Sequence, residues 1–163
     1  MTIPRQLFVK KWQIVVLVLL LLVAIAVLFF ALRPAPIQQE GRVCFGEQCF
    51  KVKLALTLGE QSRGLTGQRV IPENQGMLFI FDKEKDSSFW MKNMLVPLDI
   101  VWLNQNQEVI FISKNNLPCG QNCPLITPGK KAKYVLEIST GLADRIGLVG
   151  GDKATFSSSI LAF

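Results

Sequence analysis

The chain has 163 residues, half of them hydrophobic, and a formal net charge of +6 with no histidine. The absence of histidine excludes Ser-His-Asp and Cys-His nucleophiles, histidine metal ligands and a histidine general base. Any catalysis would have to use Asp, Glu, Lys, Cys, Tyr or a bound group, and we expect no cofactor and no metal.

The N-terminal region predicts a membrane-spanning helix. Residues 14–32 contain no charge, proline or glycine, and as a helix they would extend roughly 28 Å, close to a bilayer core. A cleaved signal peptide is the alternative, but its apolar run is usually only about 7–15 residues long. Basic residues before the helix predict a cytoplasmic tail over residues 1–13. We therefore expect a single-pass anchor in the lipid bilayer of the cell membrane.

The positive charge belongs mainly to this N-terminal region. Residues 1–33 hold four basic residues and no acidic one, so 14 basic and 12 acidic residues remain. A nearly balanced domain is a poor nucleic-acid binder, and we expect no nucleic-acid partner. The positive-inside rule predicts that a linker, residues 33–41, leads to one domain, residues 42–163, that is periplasmic or extracellular. This domain has a normal size for a single hydrophobic core.

The sequence pattern of the remaining chain predicts short strands and two short helices. Residues 49–57 alternate between apolar and lysine side chains, which predicts a half-buried strand. Thr57 and Glu60 form a capping-box pattern that predicts a short helix ending near Gly64. The run at residues 76–81 predicts a strand buried on both faces. Further strands are predicted at residues 88–94, 98–103, 108–113, 132–138 and 151–156, with a second helix within residues 139–147.

These elements predict a mostly β, α+β fold, in which a compact antiparallel β-barrel or sandwich carries two short helices. The four cysteines fall into two closely spaced pairs, Cys44 with Cys49 and Cys119 with Cys123. Outside the cytoplasm such pairs favour structural disulfide bonds. A zinc ion held by four thiolates is one alternative, and a redox-active pair is another.

The most apolar segment of the domain also contains a polar cluster. Between residues 88 and 103, Lys92, Asn93 and Asp99 lie among tryptophan, methionine and aliphatic side chains. If residues 88–94 and 98–103 form a hairpin, Lys92 lies opposite Asp99 on one face. In the structural interpretation, Asp99 accepts hydrogen bonds from Lys92 or from backbone N–H groups near Pro97.

In the functional interpretation the same groups form the floor of a ligand pocket with apolar walls. Arg63 is a weaker candidate for binding an anion, and Glu137 is expected to be exposed or to cap a helix. The candidate ligand-binding residues are Arg63, Trp90, Lys92, Asn93, Asp99 and Trp102.

Several motifs, in this order, make the chain similar to a known family. They are "RGLTG" at 63–67, "GMLFIF" at 76–81, "FWMKNMLVPLDIVWL" at 89–103, "YVLEI" at 134–138, Gly141 and "GD" at 151–152. The chain resembles the domain of unknown function 192 family over about residues 49–156. The resemblance implies a small β-rich prokaryotic domain, often exported or membrane-anchored, with no established activity, and it transfers no catalytic residue. The two cysteine pairs are not part of the family pattern.

These features together predict a membrane-anchored, non-enzymatic module of the cell envelope that binds a small molecule or a partner protein. The alternative is a histidine-independent enzyme. In that case Asp99 would act as acid or base, and Lys92 and Asn93 would orient the substrate.

Overall fold

The structure is a computed structural model that describes residues 5–32, 39–157 and 160. The chain forms two compact units, Met1–Ile37 and Gln38–Phe163. In the first unit, α1 covers Arg5–Ala31, and its apolar part Trp12–Ala31 has a mean hydropathy of 3.5. This helix is long and apolar enough to cross a membrane, although a signal sequence meets the same criterion. The predicted linker falls largely on residues 33–38, outside the described residues.

The second unit is a mostly β domain with two short helices among its described residues. The sheet order is β5-β4-β6-β3-β2-β1-β7. The elements are β1 Glu40–Phe45, β2 Gln48–Ala55, α2 Leu58–Arg63, β3 Gln75–Asp86, β4 Leu98–Leu103, β5 Val109–Asn116, β6 Lys131–Ser139, α3 Leu142–Arg145 and β7 Thr155–Phe156.

The sheet is mixed and does not close, so the barrel form of the predicted fold was wrong, although most neighbouring strands are antiparallel as predicted. β2 and β3 run parallel, with Val52 opposite Gly76, whereas the other neighbouring strands are antiparallel. The parallel pair arises because α2 and the loop after it return the chain to the end where β2 began. Strand propensity is local, but the direction of pairing depends on this crossover, which apolar alternation does not encode.

The two faces of the sheet bury different apolar clusters. β6 lies centrally between β4 and β3, so its residues are buried from both sides. One face, named here the Asp99 face, carries Val101, Leu136 and Ile138. The opposite face, the Glu137 face, carries Ile100 and Val135. Polar side chains on the Asp99 face and on the Glu137 face are therefore separated by the sheet and cannot contact each other.

Residues 88–94 do not form a strand paired with β4, so the predicted hairpin was wrong. They form an irregular segment in which Phe89 bridges to Ile126 and Lys92 bridges to Cys119. β4 instead pairs with β5 and β6. The partners of residues 88–94 lie in a loop some thirty residues further along the chain, which a hairpin rule cannot anticipate.

Both predicted disulfide bonds are present. Cys44 and Cys49 are joined across the β1–β2 hairpin, where they are register partners. Cys119 and Cys123 are joined within the loop that contacts residues 89–93. Rings this small constrain little chain, so each contributes under about 3 kcal/mol by loop entropy.

Candidate functional site

A cavity of about 350 Å3 opens on the Glu137 face. We name it the Glu137 pocket. Its walls are built from α2 and the turn after it, from β3 and its C-terminal extension, and from the irregular segment at residues 88–94. Aromatic rings supply much of the apolar lining, and these are Phe79, Phe81, Phe89 and Trp90.

The helix α2 sets one side of this pocket. Its N-terminus has the predicted capping box: Thr57 Oγ1 accepts from the Glu60 N–H at 3.3 Å, and Glu60 Oε2 accepts from the Thr57 N–H at 2.8 Å. Gln61 Nε2 donates to the carbonyl oxygens of Ala55 and Ile80 at 3.3 and 3.0 Å. These bonds fix the short helix to β2 and β3, because a helix of six residues has little stability of its own.

Glu137 lies at the floor of the pocket. Its side chain is only 5% exposed, and Oε2 has no hydrogen-bond partner among the described residues. Burial raises the pKa of Glu137 to about 8, and the hydrogen bond from the backbone N–H of Leu65 opposes that shift only in part. A Cβ built on Gly64 would lie 3.5 Å from Oε2, so glycine leaves room beside the carboxyl group. Glu137 therefore carries a proton at neutral pH.

Ser87 is the second polar group in the interior of the pocket. It is 7% exposed, and its hydroxyl also lacks a partner among the described residues. The indole N–H of Trp102 donates to the Ser87 carbonyl oxygen at 2.9 Å and so fixes this residue. Buried polar atoms are nearly always paired in native proteins. Ser87 and Glu137 line the same cavity, and within the described part of the chain each has one buried oxygen that is an exception to this rule.

The structure brings three of the six sequence-predicted residues together. Arg63, Trp90 and Lys92 all line the pocket, and all three are exposed at its mouth. Lys85 adds a further cation, whose Nζ lies 4.0 Å from the centre of the Phe81 ring. The mouth is therefore positively charged and partly aromatic.

The other three predicted residues lie elsewhere. Asp99 is fully buried on the opposite face, where its two oxygens accept from the backbone N–H groups of Asn115 at 2.8 Å and Ala143 at 3.0 Å. Trp102 packs behind the pocket against Phe89. Asn93 adopts a left-handed conformation with φ 59° and supports a turn.

The predicted pairing of Asp99 with Lys92 was therefore wrong. The strand alternation that puts Asp99 on one face was right, but Lys92 lies by the other face because its segment does not pair with β4. The hydrogen-bonding role predicted for Asp99 holds, although its donors come from β5 and α3 rather than from the turn at Pro97. Asp99 therefore does not share a site with Lys92 and Asn93, as the enzyme alternative requires.

Sequence reasoning missed Glu137 and Ser87. The expectation that Glu137 is exposed or capping was wrong, because β6 is a central strand with both faces covered. A signal was available: residues 134–138 are apolar on both alternating faces except for this carboxyl group. Ser87 carried no such signal, because it follows the charged run at residues 82–86. Among the described residues, no three cysteine or carboxylate side chains cluster so as to hold a metal ion.

Two relatives of this chain are UPF0127 proteins from Thermococcus species. The protein from Thermococcus kodakarensis is 30% identical over 104 residues, which are 63% of this chain and 62% of that protein. The protein from Thermococcus gammatolerans is 28% identical over 117 residues, which are 71% and 69% of the two chains. This chain thus spans slightly less than two thirds of the length of the first relative.

Two crystal structures share the fold, and the sequence matches a family. A proposed transcription regulator from Sinorhizobium meliloti has a TM-score of 0.67 and 25% identity, covering 76% of this chain and 97% of that one. A protein of unknown function from Novosphingobium aromaticivorans has a TM-score of 0.65 and 30% identity, covering 74% and 89%. Residues 41–156 match the profile of DUF192, described as an uncharacterised ACR. The chain therefore belongs to the DUF192 family.

Proposed function

We propose that this protein is a membrane-anchored, extracytoplasmic domain that binds a small organic molecule in the Glu137 pocket. The observation that carries the proposal is that Ser87 and Glu137, which both line this cavity, each have a buried side-chain oxygen without a hydrogen-bond partner among the described residues. Leaving each atom unpaired costs on the order of 1–3 kcal/mol, and a ligand that bonds both would recover that loss. The cavity volume is at the lower end of the range typical of small-molecule sites.

The apolar helix and the disulfide bonds support the location. Trp12–Ala31 is long enough to span a bilayer, and the basic residues before it favour a cytoplasmic N-terminus. Disulfide bonds persist in oxidising compartments rather than in the cytosol. The β-rich domain would accordingly meet solutes or proteins outside the cytoplasm.

A pair of tryptophan substitutions tests the binding. The full chain, in lipid nanodiscs, is screened for thermal stabilisation by small organic acids, amines and neutral amides. Thr66→Trp fills the mouth of the pocket from an exposed position, whereas Val70→Trp, at an exposed position that does not line it, is the control. We expect that at least one compound raises the melting temperature of the wild type and of Val70→Trp but leaves that of Thr66→Trp unchanged. Stabilisation of all three proteins alike would contradict the proposal.

A reporter fusion tests the location separately. Alkaline phosphatase, which is active only outside the cytoplasm, is fused after Phe163, and a fluorescent protein that matures only in the cytoplasm is fused at the same position. We expect phosphatase activity without fluorescence. The reverse result would remove the extracytoplasmic part of the proposal and leave the pocket to be judged by the binding screen.

A further inference from the structure

The mouth and the floor of the Glu137 pocket differ in charge. Exposed cations, Arg63, Lys85 and Lys92, line the mouth together with one carboxylate, Asp86. The three ion pairs among the described residues involve none of these four. Those pairs are Lys51 with Glu40, Lys114 with Asp144 and Arg145 with Glu73. Among the described residues, Arg63, Lys85 and Lys92 therefore form no ion pair, although the Glu60 carboxylate interacts electrostatically with Arg63.

The floor is uncharged at neutral pH but able to donate hydrogen bonds. Desolvation raises the pKa of Glu137 to about 8, so its carboxyl group keeps a proton. The charged and titratable groups around the pocket are Arg63 at the end of α2, Lys85 and Asp86 on β3, and Lys92 in the irregular segment. A protonated carboxyl and a serine hydroxyl both donate, so the floor suits an oxygen acceptor that carries no charge of its own.

The walls between mouth and floor are apolar and partly aromatic. Phe79 and Phe89 pack edge to face, with ring centroids 4.8 Å apart, and both line the cavity. Trp90 is 52% exposed and also lines the cavity. A flat aromatic or aliphatic part of a ligand would bind favourably against these rings, because both apolar surfaces are removed from water.

We infer that the ligand is a small organic anion whose charged group contacts Arg63 and Lys92 at the mouth. Its apolar body lies along Phe79 and Phe89, and an uncharged oxygen at its far end accepts hydrogen bonds from Glu137 and Ser87. This inference rests on the proposed ligand-binding function and adds the chemical class of the ligand.

An amine ligand fits the same pocket less well. Its ammonium group would have to pass three cations at the mouth. An ion pair with Glu137 would also require the Glu137 carboxyl group to lose its proton in a buried site, where the charged form is disfavoured. A carboxylate at the mouth meets cations that remain partly hydrated, which avoids burying an unpaired charge.

Four matched compounds test the charge preference by calorimetric titration of the full chain in nanodiscs. The reference probe, 4-acetylbenzoate, has the anion, the flat body and the carbonyl oxygen. In 4-acetylbenzamide the charge is removed, in 4-acetylbenzylamine it is reversed, and benzoate lacks the acceptor oxygen. We expect each of the three to bind at least about tenfold more weakly than 4-acetylbenzoate, because a charge-assisted or buried hydrogen bond is lost.

Charge-removing variants locate the anion. Arg63→Gln combined with Lys92→Gln should weaken 4-acetylbenzoate at least about tenfold and leave 4-acetylbenzamide unchanged. Lys133→Gln is the control and should bind like the wild type, because Lys133 is a half-buried cation that donates to the Asp82 carbonyl oxygen and does not line the pocket.

The outcomes separate this inference from the proposed function. Equal or tighter binding of the amine, or an unchanged affinity in the double variant, would overturn the anion assignment while the pocket remains a binding site. If the wild type binds none of the four compounds, the inference that the ligand is an organic anion is wrong. The proposed function is then judged by the thermal screen with Thr66→Trp.

Discussion

Asp99 and Glu137 are buried carboxyl groups on neighbouring strands, and they face opposite sides of the sheet. Ile100 is the register partner of Glu137, so Asp99, one residue earlier, projects the other way. Both oxygens of Asp99 accept from backbone N–H groups, those of Asn115 and Ala143. One oxygen of Glu137 has no partner among the described residues. The first group therefore holds the fold, and the second faces a cavity.

Replacing Asp99 by Asn should destabilise the protein without changing the pocket. One side-chain oxygen would become an NH2 group that faces a backbone N–H donor, so we expect a loss of about 2–4 kcal/mol in the free energy of unfolding. Asp152→Asn is the control, because among the described residues the Asp152 carboxylate accepts a single hydrogen bond, from the Val149 N–H in an exposed turn. Chemical denaturation measures both, and a loss no larger than that of Asp152→Asn would contradict the scaffold role.

The stability of the protein should depend on pH through Glu137. Its pKa is about 8 in the folded protein against 4.5 when unperturbed, so the folded state holds this proton more tightly. The contribution to the free energy of unfolding is therefore complete below about pH 4.5 and is lost as pH rises towards 8. At its steepest the slope is about 1.4 kcal/mol per pH unit.

The variant Glu137→Gln removes that slope, because an amide does not titrate. We expect its free energy of unfolding to rise relative to the wild type between pH 5 and 8 and then to stay level. Glu47→Gln, at the exposed β1–β2 turn, controls for the loss of a carboxylate. Urea denaturation at several pH values checks this, and a pH-independent difference between Glu137→Gln and the wild type would exclude a buried, protonated Glu137.

Alanine at two glycines near α2 should have opposite effects. Gly64 has φ +50°, and an added Cβ would lie 3.4 Å from Phe79 and 3.5 Å from Glu137 Oε2. We expect Gly64→Ala to cost more than about 1 kcal/mol and to weaken 4-acetylbenzoate binding. Gly59 lies within the helix with open space around it, so Gly59→Ala should stabilise by about 0.5 kcal/mol. Equal effects in thermal melts would contradict this account of the turn.

The two disulfide bonds should differ in their effect on the pocket. Cys119 bonds the segment that carries Trp90 and Lys92: its N–H donates to the Met91 carbonyl oxygen at 3.1 Å. Removing the Cys119–Cys123 bond by a double serine substitution should weaken 4-acetylbenzoate about threefold to tenfold, because this wall loses preorganisation.

The control removes the other bond. Serine at both Cys44 and Cys49 should leave the affinity unchanged, because the β1–β2 hairpin does not line the Glu137 pocket. Titration calorimetry of the two double variants compares them directly. Equal affinity in both would show that the wall at residues 89–93 does not depend on the Cys119–Cys123 loop.

Local patterns predicted the elements whose causes are local. The capping box of α2, the alternation in β2, the doubly buried run of β3 and both disulfide bonds depend on residues within about ten positions of each other. The same holds for the alternation within β4, which correctly separated Asp99 from Trp102.

Long-range pairing explains what could not be predicted. The segment at residues 89–93 pairs with the loop at residues 119–126, so the direction of Lys92 depends on residues far along the chain. Glu137 is buried because β6 is inserted between β3 and β4, an order that strand patterns do not specify. The candidate site was therefore only partly predicted: Arg63, Lys92 and Trp90 were among the candidates, whereas Lys85 and the buried residues Ser87 and Glu137 were not.

A crystal structure of the protein with 4-acetylbenzoate is the most direct test of the pocket. We predict that the acetyl oxygen lies within about 2.6–3.2 Å of Glu137 Oε2 and Ser87 Oγ, with the carboxylate beside Arg63 and Lys92. Density for the compound elsewhere on the domain, with the cavity empty or closed by its own side chains, would contradict the assignment of this pocket as the binding site.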